Sequence, residues 1–402
     1  MTRDIAWPLR FGAEIRRWNL LQGLLAAGPT DAIVLGHGEE PAERPAFTGC
    51  DRLVLLPRRL HAWSERQQRW YGSTLGRAAL TLGDRRPYEQ QYANPRELRS
   101  IVRRDIRPAD YDLVWFMTAK TIPVMDSPRG PATILDGDDY GYLRELGLLW
   151  HSPWYGAKVW NYLDALKLWQ QERRYPRRYD FVVRCSADDR ARHAAANVVV
   201  IPNGTTVPAH CGRKPAARLL FVGVLAYPPN AHGVAWFLRH VWPAIRARVP
   251  EAGLDIVGRD PPPPVRDAHG KDGVTVHGFV DDLTPLYERA SASIVPLFAG
   301  GGTRLKILEA LARSVPVVST TLGAFGIEAD ARHGLERVDS PTAFADRCID
   351  VLTDDSGAMQ WRAAAGRDLM AQRYDWRRIQ GAVTDLVRRA VAMRSTPKEA
   401  VR

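Results

Sequence analysis

The segment Pro296–Ala312, PLFAGGGTRLKILEALA, concentrates the residue types that hold a phosphate. Gly300, Gly301 and Gly302 close an apolar run and precede a helical pattern. Glycines let backbone N–H groups converge on an anion without interference from a Cβ. A helix start adds unpaired N–H groups and a partial positive charge. The pattern predicts a helix beginning near Thr303, with the threonine as its cap. Arg304 and Lys306 then fall in the first turn, where a cation opposes the helix dipole unless an anion sits there. Glu309, further along the helix, is a carboxylate suited to accept hydrogen bonds from both hydroxyls of a ribose. Phosphate binding is the chemistry these types suggest. An ordinary βα turn with surface charges is the plain alternative.

A second group of chemical interest is Asp136, Asp138 and Asp139 in the DGDD sequence at the end of an apolar run. These carboxylates suit an acceptor hydroxyl or a base, with Asp138 the candidate; helix capping after a strand is the bland reading. His232 is either a phosphate ligand or a surface histidine at a helix start. His277 receives no role. Cys50, Cys185, Cys211 and Cys348 lack any ligand-like spacing. They read as reduced thiols of a cytosolic protein, and no metal site is expected.

Short apolar runs alternating with helical patterns position these groups. In the second half the predicted strands are Arg218–Val224, Leu254–Gly258, Val274–Gly278, Ser291–Leu297 and Val315–Thr320. In the first half they are Asp31–Gly36, Arg52–Pro57, Asp112–Met117, Ala132–Gly137, Phe181–Ser186 and Val198–Gly204. This rhythm means parallel sheets with helices on both faces. The chain of 402 residues exceeds one typical core, and two domains follow. The expected organisation is an amino-terminal domain over 1–210, a basic linker over 211–218, a second domain over 219–375, and a final helix within 376–402 that packs back on the first domain. Only Asp4–Trp7 precedes the helix expected over Ala13–Leu25. The first strand is therefore very short, or it begins upstream of Met1.

The net charge of +11 fits an anionic partner: nucleic acid, lipid or a nucleotide diphosphate. No helix-turn-helix, RNA-binding or zinc-finger pattern is present, so nucleic acid is set aside. No apolar run approaches the roughly 20 residues that span a bilayer. Trp150, Trp154, Tyr155, Trp160, Tyr162 and Trp169 form an aromatic stretch followed by Arg173, Arg174, Arg177 and Arg178. Core packing is the expected reading, and a peripheral contact with an anionic membrane is the alternative. Leu60–Tyr71 has the same character.

At these residues the sequence resembles the retaining GT-B glycosyltransferases of the group 1, or family 4, class. The resemblance covers Leu219–Asp330 most fully. It includes FVGVLAYPPNAHG with Gly223 and the Tyr227–Pro229–Asn230 turn, HGFVDDLTPLYERASASIVPL, the glycine segment and VPVVSTTLGAFGIE. In the first half it rests on FGAEIRRWNLL, ILDGDD and VIPNG. It implies two Rossmann-like domains with parallel sheets facing across a cleft, ligands sitting beyond the carboxyl ends of the strands. It implies a nucleotide-diphosphate sugar as donor and no required cofactor or metal. The acceptor would be a saccharide, a lipid-linked molecule or a small molecule, in surface polysaccharide, lipopolysaccharide or natural-product glycosylation. The expected location is the cytoplasm or the inner face of the membrane.

The resemblance makes Glu309 the ribose ligand and gives the diphosphate to the amides of Gly301, Gly302 and Thr303, with Lys306 and Arg304 as catalytic cations. Gly12, Arg16, Gly223, Asn230 and Leu305 complete the binding set. Three departures stand out. Gly301 occupies the position of the first glutamate in the family's E-x7-E motif. Val224–Asn230 carries no cation where many members have an arginine and a lysine. DLVWFMTAK has no histidine, with Thr118 or Lys120 in that region. A nucleotide-sugar epimerase of the same fold would need histidine and carboxylate pairs that the sequence does not display. A degenerate protein that binds without turnover has Gly301 as its support.

Overall fold

The computed structural model describes every residue except 4, 6–8, 10, 37–44, 126–127, 152–155, 157 and 396–402. It divides into two compact units, Met1–Pro202 with Ile379–Arg402, and Asn203–Arg378.

In the first unit the strands β1 (Thr2–Arg3), β2 (Asp31–Leu35) and β3 (Arg52–Leu56) form one parallel sheet. The strands β4 (Leu113–Phe116), β5 (Ala132–Asp136), β6 (Phe181–Arg184) and β7 (Val198–Val200) form another. Met1 stitches them together. Its amine donates to the carbonyl of Trp115 at 2.6 Å and its carbonyl accepts from the amide of Met117 at 2.9 Å. Burial of that amine lowers its pKa to about 5. The strand preceding the Gly12–Leu25 helix is thus Thr2–Arg3 and not Asp4–Trp7, of which Asp4, Ala6 and Trp7 lie outside the described residues. Ile33, Leu35, Val54 and Leu56 pack with Leu98 and Val102, while Val114, Phe116, Leu135 and Val182 pack with Tyr175 and Tyr179.

The second unit is one six-stranded parallel sheet. Its strands are β8 (Arg218–Val222), β9 (Gly253–Val257), β10 (Val274–Gly278), β11 (Ala292–Val295), β12 (Val317–Ser319) and β13 (Leu335–Arg337), in the order β10-β9-β8-β11-β12-β13. Successive side chains of a strand alternate between faces. Leu219, Phe221, Leu254, Ile256 and Ile294 therefore meet Phe237, Trp242 and Phe344, while Leu220, Val257, Val295 and Val317 meet Ile307, Leu308 and Leu311. Both faces are covered, which is why these strands read as continuous apolar runs. Two of the three residues of β13 are charged and it lies at an edge, and the apolar pattern gives no sign of it.

The residues 211–218 are not a free linker. The amide of Lys214 donates to the carbonyl of Glu288 (3.0 Å), that of Ala216 to Arg289 (2.8 Å), and Arg218 already opens β8. The last carbonyls of the Thr284–Arg289 helix hold this polar segment, and the division between the two units falls earlier, between Pro202 and Asn203. The Trp376–Ser395 helix, from Ile379 onward, belongs to the first unit. There Gly23 lies so close to Val383 that a Cβ on Gly23 would sit 2.7 Å from the valine Cβ, and Thr384 donates to the carbonyl of Gly23 at 2.8 Å. No helix among the described residues is long and apolar enough to cross a membrane.

Candidate functional site

In the second unit the glycine segment leaves the carboxyl end of β11 and leads into a helix over Leu305–Ala312. Gly300 (φ 109°) and Gly302 (φ 70°) occupy the left-handed region, which a side chain would strain. The helix starts two residues later than the pattern predicts. Arg304 stands at the N-cap with no side-chain cap. Thr303 is not a cap, because its hydroxyl accepts from Nδ2 of Asn203 at 2.8 Å and is buried.

Arg304 folds back over the loop. Its guanidinium donates to the carbonyl of Gly300 at 3.0 Å and to those of Gly301 and Gly302. Its expected role is that of a catalytic cation; the contacts seen are those of a loop brace. It holds the loop in shape, because three converging carbonyls form a better-matched partner than open solvent.

Lys306 is the other cation of the segment. Its ammonium donates to Oδ1 of Asn230 at 2.9 Å and lies 4.3 Å from the ring centre of Phe221. Asn230 in turn donates from Nδ2 to the carbonyl of Val224 at 2.9 Å, which orients its oxygen toward the lysine. A Cβ on Gly223 would sit 2.5 Å from the ammonium, so a side chain at this position would displace the lysine. The residue keeps some exposure while its ammonium is enclosed. That burial first, then the like charge of Arg304, lowers the lysine pKa to about 7, against the pull of Glu309. An enclosed cation with a lowered pKa marks a candidate site for an anion.

Glu309 lies three residues on, on the same face of the helix. Burial raises its pKa, with Arg313, Tyr287 and Lys306 opposing, and the Tyr287 hydroxyl donates to Oε2 at 3.3 Å. Leu305 packs its side chain against the core, so its contribution to a ligand is limited to its amide, one of those a helix start leaves without an intrahelical acceptor. His232 stacks edge-on against Phe298 at 6.3 Å. His277 is bound through Nε2 to the buried Asp255 at 2.7 Å, where Arg218 and Arg289 also converge. Asn203, Phe221 and Tyr287 are the residues that sequence reasoning missed. Their types are common in strands and loops, and no spacing marks them.

In the first unit Arg16, expected to bind the donor, is a buried structural tie. It grips Asp136 through Nε (3.0 Å) and Nη2 (2.9 Å) and donates to the carbonyl of Ile201 (3.1 Å). Burying a guanidinium demands a paired carboxylate, and Asp136, itself buried, supplies it. Gly12 is exposed at the helix start. Arg184 holds the same turn from below through the carbonyls of Gly137 (3.3 Å) and Asp139 (2.9 Å). Between these two arginines Asp138 sits at φ 47°, a strained backbone for this residue. Burial of its carboxyl, opposed by Arg16 and reinforced by Asp139 and Asp136, raises its pKa to about 6.

A cavity of about 850 Å³ opens beside the ends of β1, β2 and β4, lined by Arg3, Arg58, His61, Trp63, Tyr88, Glu89, Lys120 and Arg144 among others. Lys120 and Arg144 share Glu89, at 3.3 Å and 3.2 Å. Among the described residues no group of three or more His, Cys, Asp or Glu side chains is arranged to hold a metal ion.

Comparison with known proteins agrees with this architecture. Residues 216–354 match the family described as glycosyl transferases group 1. The chain is 25% identical over 256 residues to the glycogen synthase of Mycobacterium tuberculosis, covering 59% of each chain. It spans about half the length of the curated relatives it matches. Among solved structures it is similar to a sucrose-phosphate synthase from Thermosynechococcus elongatus, with a TM-score of 0.61, 17% identity, and coverage of 97% of this chain and 95% of that one. It is also similar to HepE of Anabaena, crystallised with UDP and glucose, with a TM-score of 0.60, 13% identity, and coverage of 96% and 98%. The fold is GT-B.

Proposed function

We propose that this chain, whose residues 216–354 form a group 1 glycosyl transferase domain, moves a sugar from a nucleotide-diphosphate sugar to an acceptor hydroxyl with retention at the anomeric carbon. The observation that carries the reading is the ammonium of Lys306, held by Asn230 beside Gly223, at the start of a helix entered through three glycines. Lys306 and the amides of Gly301, Gly302, Thr303 and Leu305 receive the diphosphate, and Glu309 receives the ribose. A bound diphosphate restores the charge that enclosure suppresses on Lys306.

In this reading the bond from the anomeric carbon to the phosphate oxygen breaks and the acceptor oxygen bonds to that carbon on the same face. The acceptor proton passes to the departing phosphate. Preset donors and a cation at the leaving group supply most of the acceleration. Arg304 positions the loop. Asp138 is assigned to an acceptor hydroxyl, which it accepts as a carboxylate above about pH 6. The cationic, aromatic cavity of the first unit supports an anionic acceptor, such as a saccharide or lipid-linked saccharide bearing phosphate or carboxylate.

The test is thermal stabilisation by UDP, GDP, ADP and TDP. A diphosphate at 100 times its dissociation constant adds about 2.7 kcal/mol. UDP is the first to try because HepE was crystallised with it. Stabilisation by one series, followed by sugar transfer with retained anomeric configuration, supports the reading. A folded protein that none of them stabilises overturns it.

A further inference from the structure

The helix Lys158–Glu172 is inside out. Its outward face carries Val159, Tyr162, Leu163 and Leu166, all exposed, at the spacing of one helical stripe. Its buried positions include Lys158, Asp164 and Glu172. Asp164 receives Arg77 at 3.3 Å and the amide of Tyr88 at 3.0 Å. A helix on a water-facing surface has the opposite arrangement.

Two neighbouring helices also expose large apolar side chains. Thr74–Gly83, tied to the first by Arg77 on Asn161 at 2.8 Å, exposes Leu75 (80%) and Leu82 (72%). Gly141–His151 exposes Leu146 and Trp150, the latter 80%. Core packing, expected for the aromatic stretch, therefore fails for Trp150 and Tyr162. Ala165, Leu168 and the buried polar ties already fill the inner side. Trp160 and Trp169 are half-buried, and Trp154 and Tyr155 lie outside the described residues.

The rim is cationic. Arg173, Arg174 and Arg177 continue from the end of the inside-out helix, all exposed and without an acid among them. Arg66, Arg69 and Trp70 are exposed on the Glu65–Gly72 helix, where Glu65 answers only Arg69. An apolar patch of this kind marks a docking surface. Leucines and tryptophan edged by arginine match the boundary between acyl chains and anionic headgroups. We propose that this face of the first unit docks on an anionic membrane surface, the leucines and Trp150 entering the interface and the arginines meeting lipid phosphate. The inference goes beyond the transferase reading and does not depend on it.

The experiment is co-sedimentation of the full chain with vesicles of phosphatidylcholine alone or mixed with phosphatidylglycerol, with no nucleotide present. The expected result is binding to the mixed vesicles that weakens with salt. Trp150→Ala with Leu163→Ser and Leu166→Ser lowers the partition coefficient at least tenfold. Arg173→Gln with Arg174→Gln lowers it about fivefold per arginine. Circular dichroism and melting in buffer check that both variants stay folded at the temperature of the assay. Failure to bind the mixed vesicles, or equal binding to both kinds, overturns the proposal. So does a dimer in solution that dissociates in the leucine variant while the wild type ignores vesicles.

Discussion

Replacing Lys306 with methionine separates function from stability because the two move in opposite directions. The ammonium has Asn230 as its hydrogen-bond partner and Phe221 as its neighbour, and its pKa falls to about 7 through burial. A lysine whose folded pKa lies below its unfolded value destabilises the native state fully below the folded pKa. The penalty fades as pH rises toward the unfolded value. At pH 6.5 the wild type therefore carries most of it, on the order of 1–2 kcal/mol after discounting for solvent and for the Asn230 contact. Methionine has similar length and no charge, so Lys306→Met should melt about 2–8 °C higher in the absence of ligand. The same change removes a charge-assisted contact to the diphosphate worth about 1.5–3 kcal/mol, a 10- to 150-fold loss of affinity. Calorimetric melting with and without UDP, from pH 6.5 to 9, measures both. The wild type should gain stability relative to the variant across that range, and its UDP affinity should decline as the lysine loses its proton. A variant that melts lower and still binds UDP normally would refute the reasoning, because the lysine would then be a structural tie for Asn230.

Glu309→Ala should weaken nucleoside diphosphates about 10- to 100-fold and leave inorganic pyrophosphate unaffected, a comparison read by isothermal titration. Gly302→Ala, at φ 70°, should cost about 1–2 kcal/mol of stability and depress turnover by misaligning the loop amides, measured by denaturant unfolding beside a transfer assay. Arg16→Ala should cost about 3–5 kcal/mol by leaving Asp136 buried and unpaired. Arg16→Met with Asp136→Leu should recover much of that loss, as chemical denaturation would reveal.

Much of this protein is legible in the sequence because its information is local. Both faces of the second sheet are covered, so each strand announces itself as an apolar run, and β10 has the predicted bounds of Val274–Gly278. The glycines, Lys306 and Glu309 lie within one short segment, so their proximity follows from covalent connection. The resemblance names Gly223 and Asn230 as binding residues, and the fold sets both beside the ammonium of Lys306.

What sequence left open depends on contacts between distant residues. Arg304 and Lys306 are equivalent cations on paper. Only the fold turns one onto the loop carbonyls and encloses the other beside Asn230 and Phe221. Arg16 follows the first helix start like a phosphate ligand, yet β5 delivers Asp136 to it from 120 residues away. The Lys158–Glu172 helix has a period that fits either a core or an interface. Its orientation is set by two ties in opposite directions, Arg77 of the Thr74–Gly83 helix donating to Asn161 and Lys167 donating to the carbonyl of Thr81, and that orientation leaves the leucines outside. A sequence lists which side chains have charge or apolar area; tertiary structure decides which of them find partners, because pairing a buried charge and covering a surface both require a second segment of chain.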